Sequence, residues 1–176
     1  MKKAFLIISI LSIIFLTSCG IFNLSSFVIP DNLYFMTEIG ELDTPRKISD
    51  YMLDKFTYQK HTFYAPNPYQ LWLTKNGDCN DFATFGIFVA DYHGYETYQI
   101  EIFYKGTSGG HLIAVYVEEE DKMSFTDNQY YFNYYGHWFN TFREIVEFDC
   151  KYFPNKELKK YTVKDYENNI VEEGYK

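Results

Sequence analysis

The sequence predicts an α+β fold in which one buried helix lies against an antiparallel β-sheet. Residues 78–92 are apolar almost all round, which indicates a central helix enclosed by other elements. Residues 95–104 alternate between two faces and form a strand, and 111–117 and 122–126 form two more. Only the charged stretch 118–121 separates the last two strands, so they pair as an antiparallel hairpin. With 176 residues, 47% of them apolar, the chain can form one domain with a solid core.

The first twenty residues have the pattern of a leader that ends at a cysteine. A short basic start precedes an apolar run from Ala4 to Leu16, which is too short to span a bilayer comfortably. The run ends in Thr17-Ser18-Cys19, which resembles the lipobox of bacterial lipoproteins, where the cysteine is lipidated and becomes the N-terminus. We therefore predict a signal peptide over 1–18 and a lipid on Cys19 that holds the protein to a membrane outside the cytoplasm. A plain signal peptide cut near Ser18, or an uncleaved anchor, is the alternative.

Residues 19–43 mix polar, apolar and aromatic side chains without a steady period. We predict a lipidated N-terminus and tether for this segment and a folded domain over 44–167. The domain begins with a helix that has Thr44 as its N-cap and Pro45 as its first helical residue.

The C-terminal third of the sequence gives weaker signals of secondary structure. Residues 129–139 are rich in tyrosine and asparagine and are predicted to form a strand plus a loop. Residues 141–152 form a helix that starts with a capping box of Thr141 and Glu144. A short final strand is expected over 159–163, and residues 168–176 are predicted to be a loose tail.

The composition argues against a nucleic-acid partner and against a disulfide framework. The net charge of the chain is −8. Without Lys2 and Lys3 of the leader, the chain has 14 basic and 24 acidic residues, which gives a net charge of −10. Eighteen tyrosines and seventeen phenylalanines predict a core and clefts built on aromatic rings.

Three cysteines are too few for a disulfide framework, and no Cys/His spacing indicates a zinc site. If Cys19 is acylated, Cys79 and Cys150 remain; a disulfide between them would consume Cys79.

Cys79 stands where a nucleophilic cysteine is expected, at the start of the central helix. Asp78 is the predicted N-cap, and Asp81 is predicted to form a capping box with it. In the first turn, unpaired backbone N–H groups and the positive end of the helix dipole stabilise a thiolate. The alternative is that Cys79 is a small buried apolar residue, the commoner fate of a lone cysteine.

The predicted hairpin brings a base and an acid together. Centred on Glu119, it pairs Val115 with Met123, Ile113 with Phe125 and, next on the same face, His111 with Asp127. Directly opposed residues have Cβ atoms about 5 Å apart, so a carboxylate can hold an imidazole. A one-residue slip would separate the two side chains.

Each of these residues alone has an ordinary structural explanation. A histidine often satisfies a hydrogen bond in the core, and Asp127 beside Asn128 has the pattern of a turn. His61 and His93 fit the role of base less well because they lie in loops without a placed acid, and His137 lies in the aromatic segment.

Three blocks of the sequence, 77–83, 110–115 and 126–128, resemble the transglutaminase-like superfamily of papain-like folds. The resemblance covers roughly Thr44 to Phe132, and the blocks around the cysteine and the histidine are its specific parts. It implies a papain-like, transglutaminase-like fold in which the cysteine opens a central helix packed on an antiparallel sheet. The sheet carries the histidine and the aspartate.

The resemblance further implies that Cys79 is the nucleophile, His111 the base and Asp127 the orienting acid. Asp81 matches a motif position, but we expect it to cap the helix. The backbone N–H of Cys79 is one oxyanion donor, and no motif assigns the second, for which the candidates are Gln70, Trp72 and Tyr58.

These residues predict a membrane-anchored cysteine hydrolase or acyltransferase that acts on peptide or amide bonds through a thioester. Water or an amine would resolve the thioester, and hydrolysis is favoured because the chain lacks the extra domains of large cross-linking enzymes. Peptides or proteins, cell-wall peptides among them, are the expected substrates. The chemistry requires no metal or organic cofactor. The alternative from another class is a surface lipoprotein whose papain-like cleft binds peptide without turnover.

Overall fold

The computed structural model describes residues 29, 31–61, 67–133, 138–152 and 156–176. The predicted leader, Cys19 and His137 lie outside these ranges. The helices of the described chain are α1 (Leu33–Gly40), α2 (Pro45–Lys55), α3 (Pro68–Thr74), α4 (Cys79–Tyr92) and α5 (Phe142–Tyr152). Its strands are β1 (Thr57–Tyr58), β2 (Asn76–Gly77), β3 (Glu96–Tyr104), β4 (Gly110–Glu119), β5 (Lys122–Asp127), β6 (Tyr130–Phe132), β7 (Leu158–Asp165) and β8 (Ile170–Tyr175). None of these helices combines the length and the apolar character needed to cross a membrane.

A six-stranded sheet in the order β6-β5-β4-β3-β7-β8 forms the centre of the fold, and every neighbouring pair is antiparallel. One face packs through Ala114 and Tyr116 against α4, in a core that also contains buried residues of α1, α2 and α3. The other face packs in a second core that includes Ile145 and Val146 of α5. The predicted α+β class, with the cysteine-bearing helix on an antiparallel sheet, is confirmed.

The start of α2 agrees with the sequence analysis in detail. Thr44 has an extended backbone, its hydroxyl accepts the N–H of Lys47 at 3.2 Å, and Pro45 is the first helical residue. At α5, Thr141 accepts the N–H of Glu144, but the Glu144 carboxylate binds the N–H of Asn140, one residue before the expected one.

The segment predicted as a tether contains a helix, so that part of the prediction is wrong. Asn32 caps α1 by accepting the N–H of Phe35 at 3.0 Å, and Phe35 and Ile39 are completely buried. The ring of Phe35 packs edge-on against Tyr69 and Trp72 of α3. Eight residues with two buried positions give too weak a periodic pattern to stand out in the sequence.

The predicted loose tail is also wrong, because residues 170–175 form the edge strand β8. Its backbone pairs with β7 from Lys160–Tyr175 to Lys164–Ile170, and the hydroxyl of Tyr161 donates to Glu172 at 2.6 Å. β7 is consequently longer than predicted and internal to the sheet. An edge strand held mainly by its backbone ladder needs no alternating apolar face, so its side chains leave little signal.

We expect Phe35→Ala to lower the free energy of unfolding by about 3–5 kcal/mol, because it leaves a cavity among buried aromatic rings. The matched control is Tyr34→Ala on the same helix turn, where the side chain is 79% exposed and the effect should stay within about 0.5 kcal/mol. Urea unfolding of both variants measures the difference. Equal losses would show that α1 is not part of the core.

Candidate active site

The start of α4 is held by the predicted capping box. Asp78 accepts the N–H of Asn80 at 3.0 Å, and Asp81 accepts the N–H of Asp78 at 2.9 Å. Gly77 is required here, because a Cβ would lie 2.7 Å from both the Cβ of Asp81 and a methyl group of Leu71. The result is a tightly held turn that presents Cys79, partly exposed, in the first turn of the helix.

A short parallel pairing fixes the chain that leads into this turn. Strand β1 pairs with β2, so that Tyr58 lies opposite Gly77. The N–H of Thr57 donates to the carbonyl of Lys75 at 2.8 Å, and that of Gln59 donates to the carbonyl of Gly77 at 2.7 Å. The approach to Cys79 is therefore anchored on both sides, by β1 and by the helix cap.

His111 and Asp127 meet as predicted, although the hairpin register differs from the predicted one. Val115 pairs with Phe125 and Val117 with Met123, two residues from the expected partners, and an irregularity follows Val117. A shift by two residues keeps each side chain on its predicted face. His111 and Asp127 are therefore diagonal neighbours, and Nε2 of His111 lies 2.7 Å from Oδ1 of Asp127.

The Cys79 side chain lies close enough to the His111 ring to affect its pKa. Because Nε2 is bound to Asp127, Nδ1 is the ring nitrogen left for another partner. Burial by itself lowers the pKa of His111, but the hydrogen bonds and negative charges of Asp127 and Cys79 outweigh it and raise that pKa to about 10. The ring is therefore an imidazolium at neutral pH, between a buried carboxylate and the sulfur at the helix start.

A second acid, Asp149 of α5, lies beside this pair and was missed in the sequence. It is 1% exposed, and its Oδ2 accepts the hydroxyl of Tyr104 at 2.5 Å. A carboxylate oxygen of Asp149 lies within 4.8 Å of a ligand atom of both His111 and Asp127. Burial first, and then the charge of Asp127, raise the pKa of Asp149. The sequence signal was an aspartate on the buried side of α5, one turn after Ile145.

Of the three oxyanion candidates, Trp72 has its indole N–H engaged by another residue. Trp72 donates its indole N–H to Glu38 at 2.5 Å, and the ammonium of Lys75 lies over the indole ring. Gln70 is exposed on α3, where its backbone groups make the hydrogen bonds. Tyr58 lies beside the start of α4, opposite Gly77.

The two other described histidines, His61 and His93, each contact a neighbouring segment of the chain. His61 contacts the carboxylate of Asp81 through Nε2, so the expectation that it lacks an acid is wrong; the partner is distant in sequence. His93 binds the carbonyl of Ile39 at 2.7 Å and ties α1 to the end of α4. Cys79 and Cys150 are both free thiols, and burial raises the pKa of Cys150.

Two groups of side chains in the described part of the chain bring potential metal ligands within 4.8 Å of one another. They are His61, Asp78 and Asp81 at the helix cap, and His111, Asp127 and Asp149 behind the cysteine. In each group the carboxylates already accept hydrogen bonds: the first from the cap and His61, the second from His111 and Tyr104. A hard divalent cation prefers six or more oxygen ligands, which neither group supplies by itself.

No family model and no curated protein matches the chain. Among solved structures it is similar to LapG of Legionella pneumophila. The EGTA-treated form has a TM-score of 0.48 at 12% identity and covers 74% of this chain and 73% of that one. The calcium-bound form (11% identity) and a further LapG structure (12%) each have a TM-score of 0.46, and each covers 73% of this chain and 70% of that one. A likeness at this level assigns the chain to no family and carries no inference about its activity.

We expect the protonation of His111 to stabilise the fold in a pH-dependent way. Its folded pKa of about 10 lies above the ordinary value of 6.5, so the folded state binds the proton more tightly. The stabilisation is complete below pH 6.5 and is lost as the pH rises through about 10. The difference in unfolding free energy between wild type and His111→Gln, measured across that range, should shrink with rising pH. A difference that stays constant would contradict the assignment.

Proposed function

We propose that the protein is a cysteine hydrolase that cleaves peptide or amide bonds through Cys79, His111 and Asp127. The observation that carries the proposal is the His111 ring, which binds Asp127 through Nε2 and whose pKa is raised by Asp127 and by Cys79. The sulfur belongs to the first turn of a capped helix, where backbone N–H groups favour a negative charge. A partly buried, charged imidazole beside a partly exposed thiol has no structural need that an apolar residue would not meet better.

The groups can act in two steps. The thiolate of Cys79 attacks the substrate carbonyl, and the imidazolium of His111 gives its proton to the leaving amine, which leaves a thioester. The neutral ring then takes a proton from water, whose oxygen attacks the thioester and releases the acid and the thiolate. Asp127 holds Nε2 and stabilises the charged ring in both steps. An amine in place of water would give acyl transfer.

We also propose that this enzyme acts at a membrane surface outside the cytoplasm. The proposal rests on the leader pattern and on Cys19. Between Cys19 and α1 at Leu33 the chain can reach about 50 Å at full extension, at ~3.5 Å per residue. A lipid on Cys19 would therefore keep the site close to the membrane, where cell-wall peptides or surface proteins are the accessible substrates.

We expect Cys79→Ala to abolish acylation by p-nitrophenyl acetate, a generic acyl donor. His111→Ala should be nearly as severe, because the thiol loses its base. Asp127→Asn should lower the rate by about 10- to 10³-fold, because the amide cannot stabilise the imidazolium. The burst of p-nitrophenolate and the mass of acetylated protein, normalised to folded protein, measure the rates.

Cys150→Ala is the matched control for this series and should react like wild type, because no histidine among the described residues acts on Cys150. In denatured wild-type protein, Cys79 should no longer react faster than Cys150. If both cysteines react at the same rate in the folded protein, the site is a binding cleft and not a catalytic one.

Cys19→Ser should block lipidation and release the protein from membranes or leave the leader uncleaved. Fractionation of cells, with mass spectrometry of the N-terminus, measures both outcomes. A variant that is processed normally and stays membrane-bound would show that Cys19 is not the anchor.

A further inference from the structure

We propose that the hydroxyl of Tyr58 donates a hydrogen bond to the oxyanion that forms when Cys79 attacks a carbonyl. It would act together with the backbone N–H of Cys79. This assignment rests on the proposed cysteine chemistry and names the side-chain donor that the motifs leave open.

The fold holds Tyr58 beside the nucleophile. Strand β1 places it opposite Gly77, which precedes Cys79 by two residues, and hydrogen bonds on both sides of Tyr58 fix the strand. Its ring stacks on Phe82 of α4, with the ring centroids 6.5 Å apart and the planes 19° from parallel. Phe82 lies one turn after Cys79 and is completely buried, so the ring has a rigid support.

The hydroxyl of Tyr58 is available as a donor. Its side chain is half exposed, and among the described residues no group hydrogen-bonds this hydroxyl. By contrast, Tyr51, Tyr104 and Tyr131 each donate to a carboxylate. A donor that is free before substrate binds can be used when charge develops on the substrate.

The electrostatic surroundings point the same way. Burial and then the negative charges of Cys79, Asp78 and Asp127 raise the pKa of Tyr58. The hydroxyl therefore remains protonated at neutral pH. A neutral phenol is a hydrogen-bond donor that adds no charge to the site.

Trp72 and Gln70, the two other candidates, do not combine a defined position beside Cys79 with an available donor. The N–H of Trp72 is donated to Glu38, and breaking that bond would leave a partly buried carboxylate with one partner fewer. Gln70 lies exposed on α3, and among the described residues no hydrogen bond holds its side-chain amide in place.

The proposed role involves no proton transfer. As the sulfur–carbon bond forms, the electron pair of the C=O bond moves to oxygen, and the Tyr58 O–H and the Cys79 N–H each donate to it. When the leaving group departs, the C=O bond re-forms and the phenol keeps its proton.

Two reagents separate this role from an effect on the sulfur itself. p-Nitrophenyl acetate acylates Cys79 through an oxyanion, whereas iodoacetamide alkylates it by displacement at carbon without one. Tyr58→Phe keeps the ring on Phe82 and removes only the hydroxyl. We expect it to slow acylation of Cys79 by about 10- to 10²-fold and to leave alkylation unchanged.

Tyr92→Phe is the matched control, because Tyr92 is a similarly exposed tyrosine, 49% against 50%, at the opposite end of α4. It should change neither rate. If Tyr58→Phe leaves acylation unchanged, or changes both rates equally, Tyr58 is not an oxyanion donor. If the proposed function itself is wrong, wild type will show no acylation burst that depends on Cys79.

Discussion

The close packing of α4 against β4 sets the helix that begins with Cys79 against the strands that carry His111 and Asp127. At Gly86 the helix approaches the sheet so closely that an added Cβ would lie 2.4 Å from the hydroxyl of Tyr116. That hydroxyl in turn hydrogen-bonds Thr126 on β5 at 2.8 Å. The contact of Gly86 with Tyr116, and of Tyr116 with Thr126, therefore joins the helix that begins with Cys79 to the two strands that carry His111 and Asp127. Both partners of this contact are buried, so the packing that relates the two elements leaves little room for adjustment.

Burial of charge behind the thiol has an electrostatic cost that the neighbouring residues reduce. His111 and Asp127 compensate each other, but a second ionised carboxylate at Asp149 would add an unpaired negative charge in the same buried space. Its raised pKa favours the neutral acid, and Tyr104 hydrogen-bonds one of its oxygens. The cluster also links the site to α5, and therefore to the core on the far side of the sheet.

The aromatic residues that dominate the composition hold the N-terminal helices to the strand that precedes Cys79. Glu38 of α1 accepts hydrogen bonds from Tyr51 of α2 and Trp72 of α3, both at 2.5 Å. The ammonium of Lys75 lies 4.6 Å from the centre of the Trp72 ring and donates to Tyr51. Lys75 has a left-handed backbone, with φ of 58°, and leads directly into β2. Three helices thus brace the segment that positions the nucleophile.

The sequence by itself determined the features whose interactions span a few residues. The Asp78–Asp81 capping box, the Thr44–Pro45 helix start and the faces of β4 and β5 follow from short-range hydrogen bonds and from the alternation of side chains. Those features were enough to choose Cys79, His111 and Asp127 as candidates.

Only the tertiary structure decided the features that depend on distant partners. The hairpin register depends on an irregularity near its turn, and α1 and β8 depend on surfaces presented by α3 and β7. Asp149 and Tyr58 are neighbours of the site across long stretches of chain, and neither lies in a motif. Their positions come from packing and strand pairing between remote segments, whose free energy depends on the whole fold and leaves no periodic pattern in the local sequence.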